Sequence, residues 1–230
     1  MGLIAYEVAV EVTRRCNMQC AHCLRGNPQP VDIEQRYLDS LFSKLERINM
    51  LVITGGEPSL VPNKINAIVR TAKKHGVGIG DFYLVTNAKK VPDDFIRAVM
   101  NLYMYCDENE TSALAYSDDE YHDEWHTSKN AKNDNIKRLK MLSFIQRKPI
   151  YGLIAEGRAE YNSLADRAIH SNRICVDDDG YIDDMIYLNC KGNIICNCDA
   201  SYRTQDEPEY IVCHVDDLSL ETLETYNEAA

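Results

Sequence analysis

The chain has 230 residues, an apolar fraction of 45% and a formal net charge of −11, which predict one domain, with or without a small appendage, around a sizeable core. The acidic balance disfavours a long nucleic-acid backbone as partner, because phosphate binding requires a basic surface. Nine cysteines, with no signal peptide and no apolar run of membrane length, predict a cytoplasmic protein that binds metal and forms neither disulfides nor a membrane span.

The first predicted strand, Tyr6 to Val12, leads directly into a cysteine-rich loop. Cys16, Cys20 and Cys23 stand there in a Cys-x₃-Cys-x₂-Cys run. Three thiolates hold three irons of a cubane cluster and leave the fourth iron open, whereas ordinary electron-transfer clusters are closed by four cysteines. The spacing therefore favours chemistry at an open cluster. The alternative is a structural zinc site with His22 or a distant cysteine as fourth ligand.

A helix beginning near Asp32 and a strand from Met50 to Thr54 come next. The helix is predicted from apolar residues that recur at the helical period, namely Ile33, Tyr37, Leu41, Phe42, Leu45 and Ile48. The strand is followed at once by Gly55-Gly56-Glu57-Pro58. Paired glycines at a strand end allow close approach of the backbone to a ligand, and Pro58 keeps Glu57 extended so that its carbonyl is presented.

The chain then continues in alternating helices and strands. The predicted helices run from Pro62 to His75, from Pro92 to about Leu102, and from near Asn135 to Gln146. The predicted strands are Phe82 to Thr86, closed by Asn87, then Ser112 to Tyr116, and Ile150 to Ala155. A polar loop, 118–130, separates the second of these strands from the last helix.

This alternation predicts an α/β fold, a partial (β/α)6 TIM-like barrel over residues 1–169, with a small β-rich extension over 170–230. In such barrels chemistry lies at the carboxyl ends of the strands. The cysteine loop, the Gly-Gly-Glu-Pro turn, Asn87 and Ser117 are all predicted to lie at that rim.

On these motifs the chain resembles the radical SAM enzymes. The likeness consists of the three cysteines, His22 in the aromatic position before the last one, the Gly-Gly-Glu-Pro turn, and Tyr116-Ser117-Asp118-Asp119 at the fourth strand. It covers roughly residues 5 to 160. The resemblance implies a [4Fe-4S] cluster whose open iron binds S-adenosylmethionine, and a reductant such as flavodoxin or ferredoxin. Reductive cleavage would then give a 5′-deoxyadenosyl radical that abstracts hydrogen from a substrate.

The resemblance also implies which residues contact S-adenosylmethionine. Backbone carbonyls around Gly56 and Glu57 would bind the methionine amino group, and Ser117 is a candidate for a ribose or carboxylate contact. Arg158, in a Gly-Arg-Ala segment, would pair with the methionine carboxylate, the alternative being a surface salt bridge. The full implied set is His22, Gly55, Gly56, Glu57, Pro58, Asn87, Ser117 and Arg158.

Alternation along the first strand predicts a further contact. Glu7, Ala9 and Glu11 share one face, and the opposite, apolar face should pack under helices. The acidic face would then turn into the barrel interior, where Glu11 is expected to contact the substrate or a basic residue of the cavity. The alternative is a charge at a strand end that meets solvent.

From about His170 the character changes to short strands and an acidic final helix. The predicted strands are Met185 to Leu188, Ile194 to Cys196 and Tyr210 to Cys213, and the helix is Leu218 to Glu228. The segment resembles a shortened twitch or SPASM-type extension, which implies a second iron–sulfur cluster. Its candidate ligands are Cys175, Cys190, Cys196, Cys198 and Cys213, and the alternative is that they are buried apolar residues.

Three functions remain open at this point. The leading one is a radical SAM enzyme that modifies a peptide or protein side chain, as the C-terminal likeness implies. The second is a radical SAM enzyme that acts on a small molecule or nucleotide, or that activates a glycyl-radical partner. The third is a noncatalytic metal-binding module.

Overall fold

The computed structural model describes residues 2–148, 152–165, 167–168, 174–177 and 180–229. Its strands are β1 (Leu3–Thr13), β2 (Leu45–Gly55), β3 (Gly78–Thr86), β4 (Ala113–Ser117), β5 (Ile145–Lys148), β6 (Tyr181–Leu188), β7 (Asn193–Ile195) and β8 (Ile211–His214). Its α-helices are α1 (Gln35–Phe42), α2 (Pro62–His75), α3 (Asp93–Tyr103), α4 (Glu120–Asp123), α5 (Lys129–Leu139), α6 (Gly157–Tyr161) and α7 (Leu220–Ala229). Within the ranges described, every helix is too short or too polar to cross a bilayer.

All eight strands belong to one open sheet with the order β5-β4-β3-β2-β1-β6-β7-β8. The pairs from β5 through β6 are parallel, and β7 and β8 are antiparallel. The α/β class and the partial, unclosed barrel predicted from the sequence are therefore confirmed.

Strand β6 has an unexpected neighbour. It pairs in parallel with β1, with Val8 opposite Ile186, and lies on the side of β1 away from β2. The C-terminal strands thus continue the sheet of the barrel. The predicted division between residues 169 and 170 falls outside the described residues.

The core forms where helices cover the parallel strands. Val8, Val10 and Val12 of β1 are fully buried on the face predicted to be apolar. Helix α2 buries Ile65, Ile68, Val69 and Ala72, as its period predicts, and ends at Gly76, whose φ of 71° is favourable only for glycine.

Two predicted boundaries are wrong because pairing within the sheet overrides the helical period. Leu45 and Ile48 belong to β2, where Leu45 lies opposite Leu3. Helix α1 ends at Phe42 instead of continuing to them.

The last predicted helix–strand pair is displaced toward the N-terminus. Helix α5 begins after Ser128, whose hydroxyl accepts a hydrogen bond of 3.1 Å from the N–H of Ala131. Ile145, which the prediction placed in that helix, pairs with Leu114 in β5. Of the strand predicted from Ile150 to Ala155, residues 150–151 lie outside the described residues, and 152–155 contribute one isolated bridge.

Candidate active site

A cavity of about 480 Å³ opens at the carboxyl ends of the parallel strands. Loops that follow β1, β2, β3 and β4 contribute to its wall. It is lined by every residue predicted to hold the cluster or S-adenosylmethionine, namely Cys16, Cys20, His22, Cys23, Gly55, Gly56, Glu57, Pro58, Asn87, Ser117 and Arg158. The fold therefore brings together motifs that lie up to 142 positions apart, from position 16 to position 158.

Helix α6 holds the cysteine loop from one side. The Nε of Arg158 donates to the carbonyl of Cys20, and its backbone N–H donates to that of Cys23, both at 2.9 Å. Asn162 donates from Nδ2 to the carbonyl of Ala21 at 2.9 Å. These bonds fix the backbone between the second and third thiols. Arg158 therefore both lines the cavity and holds the cysteine loop in position.

The thiols themselves lie in a partly desolvated setting. Burial raises the pKa of Cys16 to about 11 and that of Cys20 to about 12, and the cation of Arg158 opposes both shifts. Nδ2 of Asn87 lies 3.8 Å from Sγ of Cys16. Thiolate is the form that binds metal, so a bound cation would supply the charge that keeps these cysteines deprotonated.

The three thiols are more widely spread than ligands of one metal ion. Among the residues the structure describes, one group of three His, Cys, Asp or Glu ligand atoms lies within 4.8 Å of one another, and it is His22, Asp119 and His122. The three thiols do not form such a group. Tetrahedral zinc with bonds of about 2.3 Å holds its sulfurs only about 3.8 Å apart. The loop therefore fits ligands that reach separate irons better than ligands that share one ion.

The two glycines after β2 are required by a close approach of two backbones. A Cβ on Gly55 would lie 2.2 Å from the carbonyl oxygen of Thr13, and a Cβ on Gly56 would lie 2.2 Å from that of Arg15. Gly55 also has a φ of 123°. The N–H of Gly56 donates to the Thr13 carbonyl at 2.7 Å, which clamps the turn to the start of the cysteine loop.

Glu57 is extended, with φ −124° and ψ 105°, as the following proline predicts. Its carbonyl accepts a bond of 3.1 Å from Leu60 N–H in the 3₁₀ turn Pro58–Leu60, a partner that sequence reasoning did not anticipate. Its carboxylate is buried, and burial raises its pKa. Ser59 N–H and the Thr86 hydroxyl donate to one oxygen at 3.0 and 2.7 Å.

A ring cluster stands beside the third cysteine. His22 stacks on Tyr121 at 4.5 Å and meets His122 edge-on at 5.0 Å. Asp119 accepts from Nδ1 of His122 at 2.6 Å and also caps α4. Asp119 and His122 line the cavity but were not assigned roles from the sequence. Their spacing of three residues at a helix start was the available signal.

Glu11 lies beneath the site and is fully buried. Arg14 donates to its carboxylate at 2.7 Å, but neither residue lines the described cavity, so the predicted contact with substrate or with a basic cavity residue stays a prediction. Tyr187 donates its hydroxyl to the other oxygen at 3.0 Å. Arg14 reaches on to Gln205 at 2.8 Å, so this buried group ties β1 to the C-terminal segment.

The five C-terminal cysteines do not share one location. Cys175 lies beside Asp183 near the start of β6, whereas Cys190 follows the end of that strand. The strand length between Asp183 and Leu188 is about 16 Å at roughly 3.3 Å per residue. Cys196 is buried, Cys213 lies in β8, and Cys198 alone of the five lines the cavity.

Three basic residues of the cavity wall were also missed from the sequence. They are Arg25, Lys148 and Arg167. Each comes from a different part of the chain, and no local motif marks any of them.

The site as a whole fits a cluster with S-adenosylmethionine. Three thiols, a glycine cradle and an arginine meet around one cavity, whose volume lies within the range of small-molecule sites, roughly 300–1,000 Å³. His22 adds a buried Nδ1 that has no hydrogen-bond partner among the described residues.

Comparison with known proteins identifies the matching family. The model of the Radical SAM superfamily matches residues 10–148, which is more than half of the chain. GTP 3′,8-cyclase of Rhizobium etli (strain CIAT 652) is 30% identical over 88 residues, covering 36% of this chain and 25% of that protein. Mycofactocin maturase MftC of Mycobacterium ulcerans (strain Agy99) is 33% identical over 73 residues, covering 30% of this chain and 20% of that protein. The matches thus span a quarter or less of these curated relatives.

Among solved structures, native anSMEcpe with bound AdoMet and Cp18Cys peptide is similar with a TM-score of 0.63. The alignment covers 98% of this chain and 82% of that one at 8% identity. At this identity the likeness concerns the fold alone.

Proposed function

The chain belongs to the radical SAM superfamily, and we propose that it holds one [4Fe-4S] cluster, cleaves S-adenosylmethionine reductively and modifies a peptide or protein side chain. The observation that carries the proposal is the meeting of the three thiols and the Gly55–Glu57 turn on one cavity. When bound, the reduced cluster and S-adenosylmethionine would supply a 5′-deoxyadenosyl radical that abstracts hydrogen from the substrate.

The protein's own residues would bind the cluster and S-adenosylmethionine and orient them. Cys16, Cys20 and Cys23 hold the irons, and Asn87 lies against the first of these thiols. The backbone of Gly55 and Gly56 approaches the cavity closely enough to contact the methionine end. Arg158 offers a guanidinium to its carboxylate while fixing the loop through the Cys20 carbonyl.

The adenosine part of S-adenosylmethionine would contact residues on the other side of the cysteine loop. Ser117 follows the fourth strand, and His22 presents a ring stacked on Tyr121. A ring held in this way offers a flat apolar surface for a nucleobase. Pro58 and the buried Glu57 carboxylate hold the turn in shape.

The peptide assignment rests on the fold and on one curated relative. The structural neighbour anSMEcpe was solved with AdoMet and a peptide, and its fold covers nearly the whole of this chain. MftC, a maturase by name, shares 33% identity over its matched stretch. A second candidate is a nucleotide substrate, favoured by the 30% identity to GTP 3′,8-cyclase.

We also propose that the iron is confined to the cysteine loop after β1, that residues 170–230 hold no cluster, and that flavodoxin or ferredoxin supplies the electron. Support comes from the scatter of the C-terminal cysteines, of which Cys175 and Cys190 lie at opposite ends of β6.

The test is anaerobic reconstitution followed by iron analysis and an assay for 5′-deoxyadenosine. About four irons per chain with cleavage are expected, as a single cubane cluster requires. Cys20→Ala should lose both, whereas Cys106→Ala, at a buried cysteine outside the cavity, should keep both. Zinc in place of iron, or iron without cleavage, would overturn the proposal.

A further inference from the structure

Four basic side chains line the cavity, and within the described ranges none has a carboxylate oxygen within 4.0 Å of its nitrogen atoms. These are Arg25, Lys148, Arg158 and Arg167. The chain has 36 acidic residues against 25 basic ones, so carboxylates are in excess. Elsewhere in the chain carboxylates form ion pairs with arginines, as in Arg15–Asp32 and Arg47–Asp107.

The partners of these cations are neutral. Nη1 of Arg25 donates to the Ala200 carbonyl at 2.6 Å, and its guanidinium lies 5.2 Å from the ring centre of Tyr187. Nη2 of Arg167 donates to the Gly152 carbonyl at 2.8 Å. These contacts orient the guanidinium groups, and among the described residues neither group forms an ion pair.

Lys148 is the clearest case. It ends β5 at the rim and is accessible to water, and its side chain has no hydrogen bond or ion pair among the described residues. Burial lowers its pKa from 10.5, and the charge of Arg25 lowers it further, partly offset by Asp119 and Asp199. Two cations that line the same cavity therefore repel each other.

The described acids on the same wall form no ion pair with these cations. The Glu57 carboxylate accepts hydrogen bonds from Ser59, Thr86 and Asn87. Asp119 is hydrogen-bonded to His122. Asp199 also lines the cavity, but it lies more than 4.0 Å from each of the cations. Arg158 is assigned to the methionine carboxylate, which leaves three positive groups for another ligand.

We propose that Arg25, Lys148 and Arg167 bind an anionic group of the substrate, a carboxylate or a phosphate. The inference deepens the proposed function, on which it rests, because it makes the peptide an acidic one that presents Asp or Glu side chains to these residues. Guanidinium and ammonium groups facing a partly desolvated cavity are the usual receptors for such anions.

The test is calorimetric titration of the cluster-loaded protein with S-adenosylmethionine present. The probes are acetyl-Gly-Asp-Gly-Asp-Gly-amide, its Asn counterpart and GTP, so that the two peptides differ only in side-chain charge. Wild type should bind the Asp peptide at least tenfold more tightly than the Asn peptide. Lys148→Gln and Arg167→Gln should each weaken it by about tenfold, the effect of losing one charge-assisted contact.

The matched controls are Lys140→Gln and Arg97→Gln, which remove the same charges from exposed positions outside the cavity. They should leave the affinity for the Asp peptide unchanged. Tight binding of GTP that depends on Lys148 and Arg167, without binding of the Asp peptide, would support the anion site and assign it to a phosphate. Equal affinity for both peptides without GTP binding, or no binding of any probe, would overturn the inference.

The two proposals can fail separately. A protein that binds the Asp peptide through Lys148 but forms no 5′-deoxyadenosine would contradict the proposed function and leave the anion site intact. Cleavage of S-adenosylmethionine by a protein that binds the Asp and Asn peptides equally well would support the proposed function and contradict the anion site.

Discussion

The carboxylate of Glu57 accepts a hydrogen bond of 2.7 Å from the backbone N–H of Asn87. Glu57 follows β2 and Asn87 follows β3, so one buried side chain joins the ends of two adjacent strands. Asn87 in turn reaches Asn17 of the cysteine loop at 2.8 Å. The turn after β2 and the loop after β1 are therefore held in register through a third strand end.

Glu57→Gln should destabilise the protein. Three donors point at the carboxylate, and an amide group would set its own N–H against one of them. The free energy of unfolding in urea should fall by about 1–3 kcal/mol, the cost of a buried unsatisfied donor. Glu46→Gln, at an exposed position of β2, should change it little. Equal stability of the two variants would contradict this account of the turn.

The buried carboxyl group of Glu57 should also make the free energy of unfolding depend on pH. Burial raises the pKa of Glu57 above 4.5, so the folded protein holds this proton to higher pH than the unfolded chain does. The free energy of unfolding should therefore lose a component as the pH rises from 4.5 through the folded pKa. Urea titrations of wild type and Glu57→Gln across this range measure it, because the variant lacks the group. Parallel curves would show that Glu57 does not titrate in this way.

Gly56→Ala should impair binding of S-adenosylmethionine. Its methyl group would lie 2.2 Å from the Arg15 carbonyl, a backbone atom that can move only with the cysteine loop. We expect at least a tenfold loss of affinity by equilibrium dialysis, on the order of 1.4 kcal/mol or more. Gly76→Ala is the control, since it has a positive φ of 71° but open space around it. Its effect should be confined to stability, at about 1 kcal/mol.

Glu11→Gln separates a structural role from a substrate contact. The Glu11–Arg14 pair is fully buried, and removal of one charge from such a pair costs about 3–5 kcal/mol. The variant should therefore unfold at lower urea concentration with its KM for substrate unchanged. A raised KM at unchanged stability would instead establish the substrate contact predicted from the strand pattern.

Cysteines of the C-terminal segment should be dispensable for iron. Cys196→Ala and Cys213→Ala should retain about four irons per chain after reconstitution, the content of one cubane cluster. The matching variant in the barrel, Cys16→Ala, should lose them. A drop from about eight irons to about four in either C-terminal variant would establish a second cluster there.

Much of the site was predictable because parallel topology brings strand ends to one edge. Cys16, Gly56, Asn87 and Ser117 each follow a predicted strand, so their meeting at one rim follows from the fold class. The glycines were recognisable because only glycine tolerates the approach of the Thr13 and Arg15 carbonyls.

Other features depended on pairings that leave no local signal. The register that places Leu45 opposite Leu3 is set by the whole of β1, so the helical period alone extended α1 too far. Lys148 is an ordinary basic residue of an edge strand in the sequence, and only the fold shows that it lines the same cavity as Arg25.

The placement of β6 beside β1 has a consequence for biogenesis. Val8 finds its partner Ile186 only after 178 further residues have been synthesised, a contact between distant parts of the chain. Such pairings form slowly and late, whereas β1, β2 and β3 can associate while the chain is still emerging from the ribosome. We therefore expect a nascent chain ending before residue 181 to expose one edge of β1 and to be a poor acceptor of iron, so that cluster loading waits for the C-terminal strands.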